Sequence, residues 1–216
     1  MYTIILFLFM MTNNTANFLA DTNIKSFAQH KKIPKVIEES ALIALSHYPE
    51  LKDAEIDFVF KQNIKKSVMQ AQPKFATILK KRKKRAYQIN ISAMFKLTHS
   101  ATPIHQLPQN IMIGWIGHEL GHVMDYRQRN LVGMLGFGVG YLFSEKYIQK
   151  AERVADTFAV NHGLGAYIID TKRFILDQTD LPEKYKARIA RLYLSPDDIV
   201  EQVRKLEEAK TLDKSF

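Results

Sequence analysis

The five residues His118-Glu119-Leu120-Gly121-His122 constrain this chain more than any other stretch. Side chains four apart lie on one face of an α-helix, so the pair His118 and His122 predicts a helix that presents both imidazoles to one point. With a glutamate directly after the first histidine, this is the pattern in which two imidazoles bind a single zinc ion and the carboxylate reaches the metal-activated water. The chain of 216 residues contains no cysteine. Disulfides and thiolate zinc sites are thereby excluded, and histidine and carboxylate remain as the strong ligands.

A catalytic zinc site needs a third protein ligand. The segment Ala151 to Ala159 offers one. If it is helical, Glu152 and Asp156 share a face; Glu152 can ligate, and Asp156 can accept the distal N–H of a ligating histidine and so fix its tautomer. His162, His105 and His99 are alternative third ligands, but none sits in a comparable motif.

His-Glu-x-x-His followed by a helix with Glu-x-x-x-Asp resembles the gluzincin metallopeptidases. The run Glu-x-x-Ala-Asp-x-x-Ala, Glu152 to Ala159, is similar to the second motif of the membrane-associated HtpX-like peptidases. The resemblance covers His118 to Asp156. It implies one Zn²⁺ per chain held by His118, His122 and Glu152, with Glu119 as catalytic base and Asp156 as the partner of His118. It also implies that the strand before the metal helix, here Ala86 to Ser92, forms the upper rim of the cleft and pairs with extended substrate. The expected activity is peptide-bond hydrolysis. Tyr126, Tyr141, Tyr147, His162 and Tyr167 are the candidates for a donor to the developing oxyanion.

The remaining elements read as an α+β, zincin-like arrangement. Ile33-Pro34 opens a helix through about His47, a backing helix with the apolar stripe Val36, Ile37, Ala41, Leu42, Ala44 and Leu45. Ile56 to Lys61, Phe75 to Leu79 and Ala86 to Ser92 read as strands of a small, mostly antiparallel sheet, the last alternating as a half-buried strand should. The metal helix is expected from near Pro108 to about Arg127. The glycines at 133, 136, 138 and 140 suggest a flexible or closely packed connection to the second metal-bearing helix, an apolar wall or lid beside the cleft, or a membrane-contacting surface. Leu181-Pro182 and Ser195-Pro196-Asp197-Asp198 read as starts of two C-terminal helices. No repeat or linker divides residues 26–216, which are read as a single zincin-like metallopeptidase domain, long enough to bury a substantial core.

Residues 1–25 stand apart. Tyr2 to Met11 is an apolar run with the length of a signal-peptide core, shorter than the ~20 residues of a spanning helix. No basic residue precedes it, and cuts after Ala16 or Ala20 lack a small residue three positions earlier, so export and retention both stay open.

Charge is the second signal. The formal net charge is +9, and no acidic residue falls between Asp57 and Glu119. That interval holds Lys61, Lys65, Lys66, Lys74, Lys96 and the unbroken run Lys80 to Arg85. The run reads as a solvated hairpin tip or as a contact for a polyanion such as nucleic acid, acidic lipid or acidic protein, and its field would favour acidic peptide or protein substrates. No nucleic-acid fold motif accompanies it, and no later segment reaches spanning length. The rival to the enzyme is a polyanion- or membrane-surface-binding protein with a non-catalytic zinc site.

Overall fold

The computed structural model describes residues 23–62, 64, 67–95, 102–177 and 181–213. The apolar run Tyr2 to Met11, Lys65, Lys66, Lys96 and His99 lie outside the described residues. The architecture is α+β with one small mixed sheet. Its strands are β1 (Lys31–Lys32), β2 (Ile56–Lys61), β3 (Met69–Pro73) and β4 (Tyr87–Ser92), in the order β1-β2-β4-β3. β1 and β4 both run parallel to β2, and β3 alone is antiparallel. The expectation of a mostly antiparallel sheet is therefore corrected. The chain crosses over through a 3₁₀ turn at Lys35–Ile37 and helix α1 (Glu38–Ser46) before entering β2, and such a crossover returns a parallel strand.

The strand expected at Phe75 to Leu79 is not one. Phe75–Thr77 is a 3₁₀ turn, and Phe75 and Leu79 are exposed. The strand lies just upstream, where Met69 and Ala71 turn inward and Gln70 and Gln72 outward. Two glutamines and a terminal proline make a weak strand signal, yet all are tolerated at a sheet edge. β4 is also more buried than its alternation suggests. Asn90 and Ser92 are buried along with Tyr87, Ile89 and Ile91, because β4 has a neighbour on each side. Of the predicted stripe, Ala41, Leu42, Ala44 and Leu45 are buried in α1 and Ile37 in the 3₁₀ turn before it, whereas Val36, in the same turn, is exposed.

α2 (Gln109–Gln128) is the hub: every residue from Ile111 to Tyr126 is buried. A helix buried on all sides must meet partners on all sides. It packs against α1, β3, α4 (Glu145–Ala159) and α5 (Gly165–Asp177). Between α2 and α4, the glycine-rich segment forms a helix, α3 (Leu131–Phe143), capped by the Asn130 side chain accepting from the Gly133 amide at 2.7 Å. After α4 a π turn at Val160–Leu164 contains Gly163 at φ +81°, a left-handed conformation that favours glycine and redirects the chain into α5. α5 has no motif of its own in the sequence reading. α6 (Glu183–Leu192) and α7 (Pro196–Asp213) follow as expected, and the Ser195 hydroxyl caps α7 by accepting from the Asp198 amide at 3.1 Å. Among the described residues no helix is long and apolar enough to cross a membrane. A further two-residue pair, β5 (Met94–Phe95) with β6 (Thr102–Pro103), leads toward α2.

Candidate metal centre

Glycines let α2 touch α4 and α5. A Cβ built on Gly121 would lie 2.3 Å from the Ala155 carbonyl oxygen, and one on Gly114 would lie 2.4 Å from the Tyr167 carbonyl oxygen. Because α2 meets α4 backbone to backbone at Gly121, the residues flanking Ala155 on α4, Glu152 and Asp156, reach the imidazoles of His118 and His122. Nε2 of His118 stands 3.0 Å, and Nε2 of His122 3.3 Å, from the same oxygen of Glu152, Oε2. Donor atoms about 2.1 Å from a tetrahedral ion stand roughly 3.4 Å apart. The three groups are buried, and their donor atoms all lie within 4.8 Å of one another, so they could hold one metal ion.

Each ligand candidate except His122 has an outer partner. Nδ1–H of His118 donates to Asp156 Oδ1 at 2.8 Å. The Tyr141 hydroxyl donates to the other oxygen of Glu152, Oε1, at 2.8 Å. Nδ1 of His122 is buried without a hydrogen-bond partner among the described residues. Burial opposes charge on His118, but Asp156 and Glu152 outweigh it and raise the imidazole to about 10. Glu152 is likewise held well below the carboxylate range, its burial overcome by the two histidines. Opposed charges thus converge on one buried point.

Asp156 is fully buried and collects two further donors, Lys172 Nζ at 2.9 Å and the Leu194 amide at 3.1 Å. Burial pushes Lys172 down and would push Asp156 up, but Lys172 and His118 hold the Asp156 carboxyl below its usual value. Lys172 also lies 3.9 Å from the centre of the Tyr193 ring. The buried lysine on α5 keeps Asp156 ionised, and so keeps it an acceptor for His118.

Glu119 binds none of these groups directly. Its Oε2 accepts the Ala71 amide of β3 at 2.6 Å. Burial, the main influence, raises its pKa against the pull of His122 and His118. A carboxylate anchored by one oxygen and raised toward neutrality suits a general base.

A cleft of about 450 Å³ opens beside Glu119, His122 and Glu152. Its walls are β3 on one side, with Met69, Ala71 and Pro73, and α3 on the other, with Met134, Phe137, Tyr141 and Leu142. The rim expected from Ala86 to Ser92 is therefore corrected. β4 is interior to the sheet, and β3 is the edge strand that faces the cleft. Of the proposed oxyanion donors, Tyr141 and Tyr126 line the cleft, with Tyr126 donating to the Ala71 carbonyl oxygen at 3.2 Å. Tyr147 accepts from Arg129, His162 stacks on Tyr48, and Tyr167 lies edge-on to His47, all outside the cleft lining. As alternative ligands, His162 and His105 take no part in the cluster.

Sequence reasoning missed Ala71, Lys172, Tyr193 and Arg188. Tyr193 lines the cleft and lies 5.4 Å from the His118 ring between centroids. Among the described residues of the cleft lining, Arg188 alone is cationic. No local pattern marks any of the four. The basic run is split: Lys80 to Lys84 are exposed, but Arg85 is buried and donates from Nη1 to the Arg129 carbonyl oxygen at 2.8 Å. Comparison with protein-family models, curated proteins and solved structures gives no match.

Proposed function

We propose that this chain is a zinc-dependent peptidase of the gluzincin type, with a zincin-like arrangement of β3, α2 and α4. The observation that carries the reading is the convergence of His118 Nε2 and His122 Nε2 on one Glu152 oxygen, with Glu119 beside them in an open cleft. Two imidazoles and a carboxylate, without thiolate, fit zinc in a site that keeps a position open. When bound there, zinc supplies Lewis acidity to a substrate carbonyl and to a water molecule.

The chain's own residues supply the rest. Glu119, with Oε2 fixed by the Ala71 amide, takes a proton from the attacking water and returns it to the leaving amine. Tyr141 holds the ligating carboxylate in place, and Asp156 fixes the His118 tautomer. Tyr193, whose hydroxyl is kept protonated by burial, is placed to donate to the developing oxyanion. The apolar walls accept apolar side chains, and Arg188 supplies the preference for an acidic residue that the sequence had suggested for the basic run. A non-catalytic zinc site would use Glu119 only to hold the Ala71 amide.

Zinc titration and a peptide-library digest of the purified chain and of Glu119→Gln test this. About one zinc per chain in both proteins, with hydrolysis in the first and none in the second, is expected. Absence of zinc uptake, or undiminished hydrolysis by Glu119→Gln, overturns the proposal.

A further inference from the structure

Helix α3 is apolar on two faces, and the fold explains only one of them. Met134, Phe137 and Tyr141 face the cleft. On the other side Val132, Leu135, Val139 and Phe143 recur at helical spacing, with Leu142 at the border with the cleft, and Val132 is 77 %, Leu142 77 % and Phe143 84 % exposed. A Cβ on Gly136 or Gly138 would meet nothing within 4 Å, so this side of the helix is open. No charged residue interrupts Leu131 to Phe143. A contiguous apolar face of this kind marks an interaction surface.

The connection from β3 to β4 adds a second apolar patch and the charge. Phe75 is 89 % and Leu79 80 % exposed. Ile78, next to Leu79, lines the same cleft as Leu142, so the two patches flank one opening. Lys80, Lys81, Arg82, Lys83 and Lys84 follow directly, all exposed. Arg85 locks this run to α3: its guanidinium bonds to the carbonyl oxygens of Lys80 and Arg129, and Asn130 caps the helix. Ile78 and Leu142 line one cleft, and Leu79 and the exposed cations follow Ile78 in the chain, so apolar side chains and cations border the face that holds this opening.

We infer that this face docks on the surface of an anionic lipid bilayer, with the α3 side chains, Phe75 and Leu79 in the acyl boundary and Lys80 to Lys84 on the headgroups. An apolar helix face bordered by cations is the chemistry of an interfacial site. In an isologous contact a second copy brings the same cationic patch and supplies no anion for it. A nucleic acid would leave Val139 and Leu135 without partners. Docking puts the mouth of the cleft at the membrane, and the inference holds whether or not the cleft hydrolyses peptides.

The test is sedimentation of the full chain with phosphatidylcholine vesicles, with and without phosphatidylserine. Salt-sensitive binding to the anionic vesicles is expected. Changing Lys80 to Lys84 to glutamine should reduce it roughly 10²–10³-fold at low salt, and the triple change Val132→Ser, Leu135→Ser, Val139→Ser by about tenfold or more. Since the chain has no cysteine, an environment-sensitive dye on Val139→Cys or Leu79→Cys reads insertion directly. Its emission should shift to the blue on vesicle addition, whereas a dye on Glu208→Cys, on the exposed side of α7, should not. Undiminished binding by both variants assigns the contact to another segment and overturns the inference. So does equal binding to vesicles without phosphatidylserine, dimer formation without vesicle binding, or binding to heparin alone.

Discussion

Gly121→Ala separates α2 from α4, the helices that carry the candidate ligands, by the smallest possible change. The new Cβ would sit 2.3 Å from the Ala155 carbonyl oxygen and 3.0 Å from the Ala155 Cα. Both are backbone atoms, so no rotamer change relieves the overlap, and α4 must retreat by about 1 Å to restore van der Waals distance. Glu152 and Asp156 move with it, away from His118 and His122. Overpacking of this kind costs about 1–3 kcal/mol, even though alanine favours a helix over glycine by about 1 kcal/mol. For a chain of this size that lowers Tm by roughly 3–10 °C. Zinc affinity should fall at least as far as when an outer-shell partner is lost, about 10–100-fold. Gly136→Ala is the control, because its Cβ would meet nothing within 4 Å; Tm should hold or rise. Competition titration with a zinc chelator, with thermal unfolding at fixed zinc, measures both effects. Wild-type zinc affinity and Tm in Gly121→Ala would refute the claim that this close approach builds the site.

Three further outcomes are expected. Tyr141→Phe removes the hydroxyl that donates to Glu152 and should weaken zinc binding about 10–100-fold with little loss of stability, measured by the same titration. Lys172→Met removes a buried partner of Asp156 and should cost about 3–5 kcal/mol in urea unfolding; adding Asp156→Asn should recover part of the loss, and strict additivity would refute the coupling. Lys31 is pushed down to about 8, chiefly by burial, with Asp53 opposing and Arg127 reinforcing the shift. Between that value and the ordinary lysine value of 10.5 the unfolded chain binds more protons than the folded one, so the Lys31 contribution to stability improves as pH rises through the window. Lys31→Met should flatten that part of the stability profile, and an unchanged slope would refute the assignment.

The local, periodic part of the site was legible in the sequence. His118 and His122 are related by one helical turn, as are Glu152 and Asp156, and a helix fixes which side chains share a face whatever surrounds it. The cap of the last helix and the strand at Ile56 to Lys61 were legible for the same reason: a hydroxyl before Pro-Asp-Asp, and a period of two. Legibility failed where the answer depended on distant neighbours. β3 reads weakly because an edge strand needs little propensity once β4 and α2 hold it, and β4 looked half-buried because alternation does not reveal a second neighbour. Lys172 reads as one more surface lysine until α5 packs it against Asp156. Tyr193 and Arg188 enter the cleft only through the path of α6. The sequence by itself determined the helical spacing of His118 with His122 and of Glu152 with Asp156, because that follows from bonded geometry. Tertiary structure decided which oxygen the imidazoles share, what holds Glu119, and which surface surrounds the cleft, because these are set by contacts between residues far apart in the chain.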